Sequence, residues 1–325
     1  MLQYPVGPDR LPRETGNLYP AVAVVGATAS GKSRLALTVA SEFGGEIISC
    51  DALQVYRYMD VGTAKPTPAE QAAIPHHMLD LRNPGEDFSA GDYQRLARQA
   101  LGLVARHNRL PVVAGGTGFY LRSLIDGLSE GPARSETLRQ RLRRIVGRKG
   151  PACLHRILAR ADPRSAARIS PADAARLIRA VEVLWITGTP LSAWQEKPRD
   201  ALTGFRWLKL GIAWPRRELY RRIDGRVEEM FAGGFPEEVR FLLSRFPRDA
   251  HAFKAIGYRQ CAIYLDGTWT LEQAIEDTQR ESRRYAKRQL TWFRRDPGIV
   301  WLDGTEDFAS LSGRASELVR GFLAA

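Results

Sequence analysis

The sequence predicts an α/β protein in which a parallel sheet is flanked by helices and interrupted by an all-helical insertion. An apolar, β-branched run at residues 22–25 leads into a glycine-bracketed turn, and helical spacing follows it. Short apolar runs then alternate with helical segments up to about residue 130, as in sheets of parallel strands. Residues 131–200 contain helical patterns and no strand pattern. We therefore expect an α/β core formed by residues 20–130 and 201–325, a helical insertion domain at 131–200, and a flexible arm at 1–19.

The glycine-bracketed turn has the spacing G-x-x-x-x-G-K-S, between a predicted strand and a predicted helix. This is the P-loop arrangement, and it predicts a sheet like that of P-loop nucleoside triphosphatases. The turn presents backbone N–H groups to phosphate oxygens, lysine adds a charge, and serine offers a hydroxyl to Mg²⁺. The predicted phosphate ligands are Gly26, Ala27, Thr28, Ala29, Ser30, Gly31, Lys32 and Ser33, with Ser33 also on the metal.

Two further loops follow strands that should end at the same edge of the sheet. Asp51 comes directly after the apolar run at 46–50, and Thr117 follows the run at 110–114. Asp51 is either a magnesium ligand or a general base, and both roles fit its position. The second strand ends in Ala-Gly-Gly and lacks the magnesium-binding aspartate of many nucleoside triphosphatases, which argues against a motor or a GTPase.

The rest of the chain continues this alternation less regularly. A strand is predicted at 206–214, helices begin near residues 217, 236 and 271, and a strand at 299–302 precedes a short terminal helix. Arg222 and Arg226 share one face of the first of these helices, where they form either a solvated basic face or a phosphate contact. The loop with His76, His77 and Asp80 is assigned a structural role because its spacing does not suit a metal site.

The charge distribution predicts a polyanionic partner. The net charge is +12, and residues 134–179 hold thirteen basic residues against three acidic ones. Residues 279–295 interleave arginine and lysine with aromatic side chains, a combination that suits phosphates and unpaired bases. In this helix two adjacent stripes compete for the core, one with Tyr285, Gln289 and Trp292, and the other with Ala286, Leu290 and Phe293. Spacing does not decide between them.

Several classes of protein are disfavoured. No apolar window reaches the ~18 residues that a membrane span needs, and the first twenty residues lack a signal-peptide pattern. Three widely spaced cysteines suggest a reducing compartment, and we expect a cytoplasmic protein without membrane association. A monomer is expected because no exposed apolar stripe is evident.

Eight blocks of the sequence, in order, resemble the tRNA dimethylallyltransferases, also called tRNA isopentenyltransferases, of the bacterial type. They are GATASGKS at 26–33, SCDALQVYRYMDVGTAKP at 49–66, PHHMLD at 75–80, PVVAGGTGFYLRSL at 111–124, ARLIRAVEV at 175–183, RIDGRVEEMFAGGFPEEV at 222–239, AIGYRQ at 255–260 and YAKRQLTWFRR at 285–295. Alanine at position 27, where the family usually has proline, and serine at position 33, where threonine is common, leave every chemically required group in place.

The resemblance implies transfer of a dimethylallyl group from dimethylallyl diphosphate to N6 of adenosine 37 of tRNA, next to the anticodon. It implies that Asp51 is the base, that Lys32, Arg226 and Ser33 with Mg²⁺ stabilise the leaving diphosphate, and that Thr117 lies near the adenosine. The adenosine should be flipped out of its stack. The tRNA contacts implied for the anticodon stem-loop are Asp51, Ala52, Leu53, Gln54, Thr117, Arg139, Ala175, Arg176, Leu177, Ile178, Arg179, Lys254, Ala255, Ile256, Gly257, Tyr258, Arg259, Lys287, Arg288, Gln289, Leu290, Thr291, Trp292, Phe293 and Arg294.

Three alternatives share the P-loop. A small-molecule kinase and an adenine-nucleotide isopentenyltransferase would both leave the basic segments without a role. A nucleotide-gated RNA-binding module would use the basic segments but not Asp51.

Overall fold

A computed structural model describes residues 18–129 and 131–325. The described chain separates into two compact units. The first combines the residues up to Ile125 with Leu202–Ala325, and the second is Asp126–Ala201. The predicted N-terminal arm lies outside the described residues except for positions 18 and 19, and Tyr19 already belongs to the first strand.

The first unit is built on one sheet with strand order β3-β2-β4-β1-β5-β6. All neighbouring strands are parallel, which confirms the predicted fold class. The strands are Tyr19–Val25 (β1), Gly45–Ser49 (β2), His76–His77 (β3), Leu110–Gly115 (β4), Phe205–Ala213 (β5) and Ile299–Asp303 (β6). The sequence pattern did not predict β3, a two-residue edge strand that pairs with Ile47 and Ile48.

The described residues form fourteen α-helices and a short 3₁₀ turn at His251–Lys254. The α-helices are Lys32–Glu42 (α1), Pro68–Ala73 (α2), Ala90–Arg106 (α3), Gly118–Ile125 (α4), Glu136–Lys149 (α5), Ala152–Ala161 (α6), Pro163–Arg168 (α7), Ala174–Thr187 (α8), Leu191–Glu196 (α9), Arg216–Ala232 (α10), Phe235–Arg245 (α11), Tyr258–Leu265 (α12), Leu271–Phe293 (α13) and Phe308–Ala324 (α14). Between β5 and β6 lie four α-helices rather than the three predicted starts, because α12 is a separate short helix.

Alternation along β1 explains why both faces of the sheet are covered. Ala21, Ala23 and Val25 face a core that includes residues of α3 and α4, whereas Val22 and Val24 face a core that includes residues of α1 and α14. β1 therefore lies inside the sheet, between β4 and β5. The phosphate-binding loop begins at its carboxyl end, on the side of the sheet where the other parallel strands also end.

The regular secondary structure of the second unit, in its described residues 126–129 and 131–201, is helical apart from an isolated bridge between Ser129 and Arg199. Its core is formed by leucines and small apolar residues of α5 to α8, among them Leu142, Leu154 and Leu177. In the described part of the chain, no helix combines the length and the apolar character needed to cross a bilayer.

Candidate active site

The phosphate-binding loop connects β1 to α1 and ends at Gly31. Gly31 precedes the first helical residue with φ 93° and ψ 4°, a left-handed conformation that glycine adopts without strain. It has no side chain to cap the helix, so the first N–H groups of α1 are left to an external acceptor. The start of α1 is therefore built to bind an anion.

Helix α10 holds this loop by two arginines. Arg226 donates through Nη1 to Thr28 Oγ1 at 2.9 Å, and Arg222 donates through Nε to the carbonyl of Ala29, also at 2.9 Å. Both arginines therefore contact the phosphate-binding loop, and a contact of either one with phosphate stays a prediction.

Trp214 and Ser30 complete the support of the loop. The indole Nε1 of Trp214 donates to the carbonyl of Ser30 at 2.9 Å, and the guanidinium of Arg222 lies 4.3 Å from the indole centroid. The hydroxyl of Ser30 is buried and has no hydrogen-bond partner among the described residues. A buried hydroxyl without a partner is costly, so this oxygen is suited to a ligand atom.

Two cations at the loop are partly buried. Lys32 donates to the carbonyl of Ala27 at 3.2 Å, and burial together with the charge of Arg226 lowers the pKa of Lys32 to about 8. Burial likewise lowers the pKa of Arg226, against the opposing effect of the Asp51 carboxylate. The Asp51 carboxylate acts on both cations, and Glu229 acts on Arg226 as a second, weaker counter-charge.

Asp51 begins a tight turn at the end of β2. Its Oδ1 accepts hydrogen bonds from the backbone N–H groups of Leu53 at 2.8 Å and Gln54 at 3.4 Å. These bonds fix the orientation of the carboxylate. They use only one of its two oxygens.

Thr117 reaches the same place from the end of β4. Its Oγ1 accepts a hydrogen bond from the N–H of Ala52 at 3.2 Å, and the Thr117 side chain works to lower the pKa of Tyr285. Burial, with a smaller contribution from Asp51, raises the pKa of Tyr285 to about 12. Burial also raises the pKa of the Cys50 thiol to about 12, which argues against a nucleophilic cysteine here.

The segment after Asp51 is anchored by Glu238, a residue for which the sequence pattern predicted no role. Glu238 Oε2 accepts from the backbone N–H groups of Asp60 at 2.9 Å and Val61 at 2.6 Å. Its Oε1 accepts from the hydroxyl of Tyr258 at 2.7 Å. Lys65 adds a second anchor through Asp60 and Asp80, at 2.5 and 2.7 Å.

Helix α13 places the predicted basic and aromatic residues along an exposed groove. The groove is lined by Arg284, Lys287, Arg288, Thr291, Trp292 and Arg295. Leu290 is only partly buried and Arg294 is exposed. The buried stripe of the carboxyl-terminal half is Ala286, Gln289 and Phe293, a mixture of the two predicted stripes.

Several of the implied tRNA contacts are side chains of the protein core. Leu177 and Ile178 pack in the second unit, while Tyr258, Gln289 and Phe293 are buried in the first. A direct RNA contact by these five side chains is wrong for this structure, because their neighbours on the same helices occupy the exposed positions. Around them, Ala175, Arg176, Lys254 and Arg259 are exposed, Ala255 and Ile256 are partly buried, and Gly257 is buried.

In the second unit, Arg139 and Arg179 converge on one carboxylate. Glu182 is 0% exposed and accepts from Arg139 Nε at 2.9 Å, Arg179 Nη1 at 2.8 Å and the N–H of Ser135 at 2.9 Å. Burial works to raise the pKa of Glu182, but the hydrogen bonds from both arginines and Ser135 outweigh it, and the pKa is lowered. The sequence indicated the two arginines and not the residue that orients them.

The parallel sheet and its phosphate-binding loop define a P-loop-type α/β enzyme. The family model described as IPP transferase matches residues 54–296, three quarters of the chain. The chain therefore belongs to the IPP transferase family, the tRNA dimethylallyltransferases.

Individual relatives match over nearly the whole chain. A tRNA dimethylallyltransferase of Koribacter versatilis is 48% identical over 91% of this chain and 97% of its own. That of Geobacter sulfurreducens is 46% identical over 92% and 96%. The crystal structure of the tRNA isopentenylpyrophosphate transferase of Bacillus halodurans, at 38% identity, has a TM-score of 0.69 and covers 94% and 96%. A eukaryotic dimethylallyltransferase acting on tRNA, at 26% identity, has a TM-score of 0.80 and covers 94% of this chain and 80% of that one.

Proposed function

We propose that the protein transfers the dimethylallyl group of dimethylallyl diphosphate to N6 of adenosine 37 in tRNA, giving N6-isopentenyladenosine and diphosphate. The observation that carries this proposal is the group formed by Asp51, Lys32 and Arg226. It places one fixed carboxylate beside two desolvated cations at the loop that binds phosphate.

In the proposed reaction, a bond forms between N6 and the allylic carbon, while the bond from that carbon to the diphosphate oxygen breaks. The second oxygen of Asp51, Oδ2, takes the N6 proton. Lys32, Arg226, the buried hydroxyl of Ser30 and the first amides of α1 stabilise the charge that develops on diphosphate. Thr117 positions the turn at Ala52 next to the adenine. Because diphosphate is the leaving group, no phosphoryl group is transferred.

We assign a Mg²⁺ site to the same loop, with Ser33 as the protein ligand. Among the described residues, no group of three or more histidines, cysteines or carboxylates can hold a metal by itself. The hydroxyl of Ser33 is exposed at the first turn of α1. Mg²⁺ is commonly bound by one or two protein oxygens together with phosphate oxygens, so this sparse donor set fits. When bound, the ion would neutralise charge on the diphosphate.

For the RNA, we propose that the anticodon stem-loop contacts the α13 groove, Lys254 and Arg259 of the first unit, and partly or fully exposed arginines of the second unit. The residues assigned on this basis are Arg139, Arg176, Arg179, Lys254, Arg259, Lys287, Arg288, Thr291, Trp292 and Arg294. We expect a monomeric, cytoplasmic enzyme.

The test combines purified protein with unmodified tRNA, dimethylallyl diphosphate and Mg²⁺, and follows the mass of the anticodon-loop fragment. Wild type should add one isopentenyl group to adenosine 37. In Asp51→Asn, Oδ1 still accepts the bonds of the turn but no base remains, so we expect transfer to fall by about 10²–10⁴-fold. Binding of tRNA should be nearly unchanged.

If Asp51→Asn transfers the dimethylallyl group at the wild-type rate, Asp51 is not the base, although the proposed reaction still stands. Wild-type protein that yields no adduct, and instead moves phosphate from ATP to a metabolite, would replace the proposal with a kinase.

A further inference from the structure

Gln289 lies inside α13 with both ends of its amide bonded to loops of the active site. It is 6% exposed. Its Oε1 accepts from the N–H of Thr28 at 2.9 Å, and its Nε2 donates to the carbonyl of Gly116 at 2.8 Å. A Cβ atom at position 116 would lie 2.2 Å from Nε2, so the contact requires glycine there. One side chain thus joins the loop after β1 to the loop after β4.

The same stretch of α13 carries the exposed groove on its other side. Lys287 and Arg288 precede Gln289, and Thr291 and Trp292 follow it, all four at the groove. Because 3.6 residues form one turn, Lys287, Arg288 and Thr291 point away from Gln289, whereas Trp292, three residues further on, lies at the border between the groove and the buried face. A polyanion bound in the groove would lie within one helical turn of the contact with the phosphate-binding loop.

Thr28 is held from two directions. Its N–H is bonded to Gln289, and its hydroxyl accepts from Arg226, one of the two desolvated cations. The position of α13 therefore bears on the conformation of the loop and, through Thr28, on the placement of Arg226.

We propose that Gln289 couples the two substrates, so that RNA in the α13 groove raises the affinity of the phosphate-binding loop for diphosphate. RNA that fixes α13 also fixes the amide that orders Thr28 and Gly116, so part of the ordering cost of the second ligand has already been met. Linkage requires the effect to be reciprocal: diphosphate must tighten RNA binding by the same factor. This inference rests on the proposed function, because it takes the groove as an RNA surface.

The experiment measures the Kd of inorganic pyrophosphate with Mg²⁺, without and with a saturating unmodified anticodon stem-loop RNA. In wild type we expect RNA to lower this Kd by about fivefold or more, the lower end of common coupling factors. Gln289→Met keeps the length of the side chain, loses both contacts and should bring the ratio close to one. Gln289→Glu still accepts from Thr28 but cannot donate to Gly116, so its ratio should be intermediate.

A matched control exists on the same helix. Gln279 also extends from α13, but its Nε2 donates to Glu228 at 3.0 Å and to the carbonyl of Asp224 at 3.3 Å, both on α10. Gln279→Met should keep the wild-type ratio. A purely structural role of Gln289 would lower the melting temperature without moving the ratio of the two Kd values.

The outcomes separate this inference from the function on which it rests. If wild type modifies tRNA and binds both ligands independently, the coupling is refuted. If Gln289→Met folds and keeps the wild-type ratio of Kd values, Gln289 does not carry the coupling. If Gln289→Met does not fold, the ratio measured for Gln289→Glu decides the question. If wild type binds pyrophosphate but neither binds nor modifies RNA, the proposed function fails and takes the inference with it.

Discussion

Positive charge is buried in both units, and the two units treat it in opposite ways. At the phosphate-binding loop, the Asp51 carboxylate acts on both Lys32 and Arg226, and Glu229 acts on Arg226 as well, yet burial lowers the pKa of both cations. In the second unit, Arg139 and Arg179 meet a fully buried carboxylate, Glu182, whose pKa their hydrogen bonds help to lower.

The difference shows what each charge is for. A desolvated cation without a full counter-charge raises the energy of the ligand-free protein and is stabilised when an anion arrives. A guanidinium that is hydrogen-bonded to a buried carboxylate is already stabilised, so the carboxylate fixes its orientation and no ligand anion is needed to neutralise it. The first arrangement therefore suits diphosphate binding, and the second suits the rigid display of arginine N–H groups.

The largest expected effect comes from removing the buried counter-charge. Glu182→Leu leaves Arg139, whose side chain is only 14% exposed, without its partner. Breaking a buried pair in this way costs about 3–5 kcal/mol of stability. Hydrogen exchange of the α5 and α8 amides in the full chain should report this loss, with protection in α3 unchanged.

A double variant checks the cause. Adding Arg139→Met to Glu182→Leu removes the stranded charge and should restore part of the protection, because apolar replacement of a whole buried pair is often nearly neutral. Equal exchange rates in the single and double variants would show that the charge is not the source of the loss.

At the phosphate-binding loop, the same kind of experiment should give the opposite result. Arg226→Met removes a desolvated cation, so we expect the melting temperature to stay or rise. Loss of a group that stabilises developing charge typically lowers kcat by about 10²–10³-fold. Single-turnover transfer and thermal unfolding, measured on one preparation, test both halves. If Arg226→Met loses as much stability as Glu182→Leu, the two sites do not differ in the way proposed.

The sequence predicted the parts of the site that are encoded locally. The loop at 26–33 is specified by its own glycines, and Asp51 and Thr117 follow strands that end at one edge of a parallel sheet. Local spacing could not reveal that Gln289 points inward, because its partner Thr28 lies 261 residues away. Glu182 and Glu238 look like ordinary surface acids in the sequence, and only tertiary contacts make them anchors.

A smaller effect should appear in the pH dependence of diphosphate binding. Lys32, with its pKa lowered to about 8, is charged below pH 8, and the charged form is the one that binds an anion. Affinity of the free enzyme for dimethylallyl diphosphate should therefore be full below pH 8 and fall above it, by up to about tenfold per pH unit. Bound diphosphate raises the pKa of Lys32 again, so kcat should not show this break.

Lys32→Arg is the control for that measurement. Its guanidinium stays charged throughout, so any remaining pH dependence belongs to the ligand. If titration calorimetry gives the same pH profile for both proteins, the charge of Lys32 does not control binding.

The smallest effect concerns Arg176, which is not buried, unlike the cations at the phosphate-binding loop and the arginines that bind Glu182. Its side chain is 72% exposed and, within residues 18–129 and 131–325, forms an ion pair only with Asp173 on the helix surface, at 3.2 Å. Such a pair contributes about 0–1 kcal/mol, so Arg176→Ala should not change stability measurably. If Arg176 contacts a tRNA phosphate, the slope of log K against log salt should become shallower by about one. The control is Arg314→Ala. Arg314 is an exposed residue of α14, pairs with Glu306 and lies outside the proposed RNA surface, so this substitution should leave the slope unchanged. Equal slopes in the two variants would remove Arg176 from the RNA contacts.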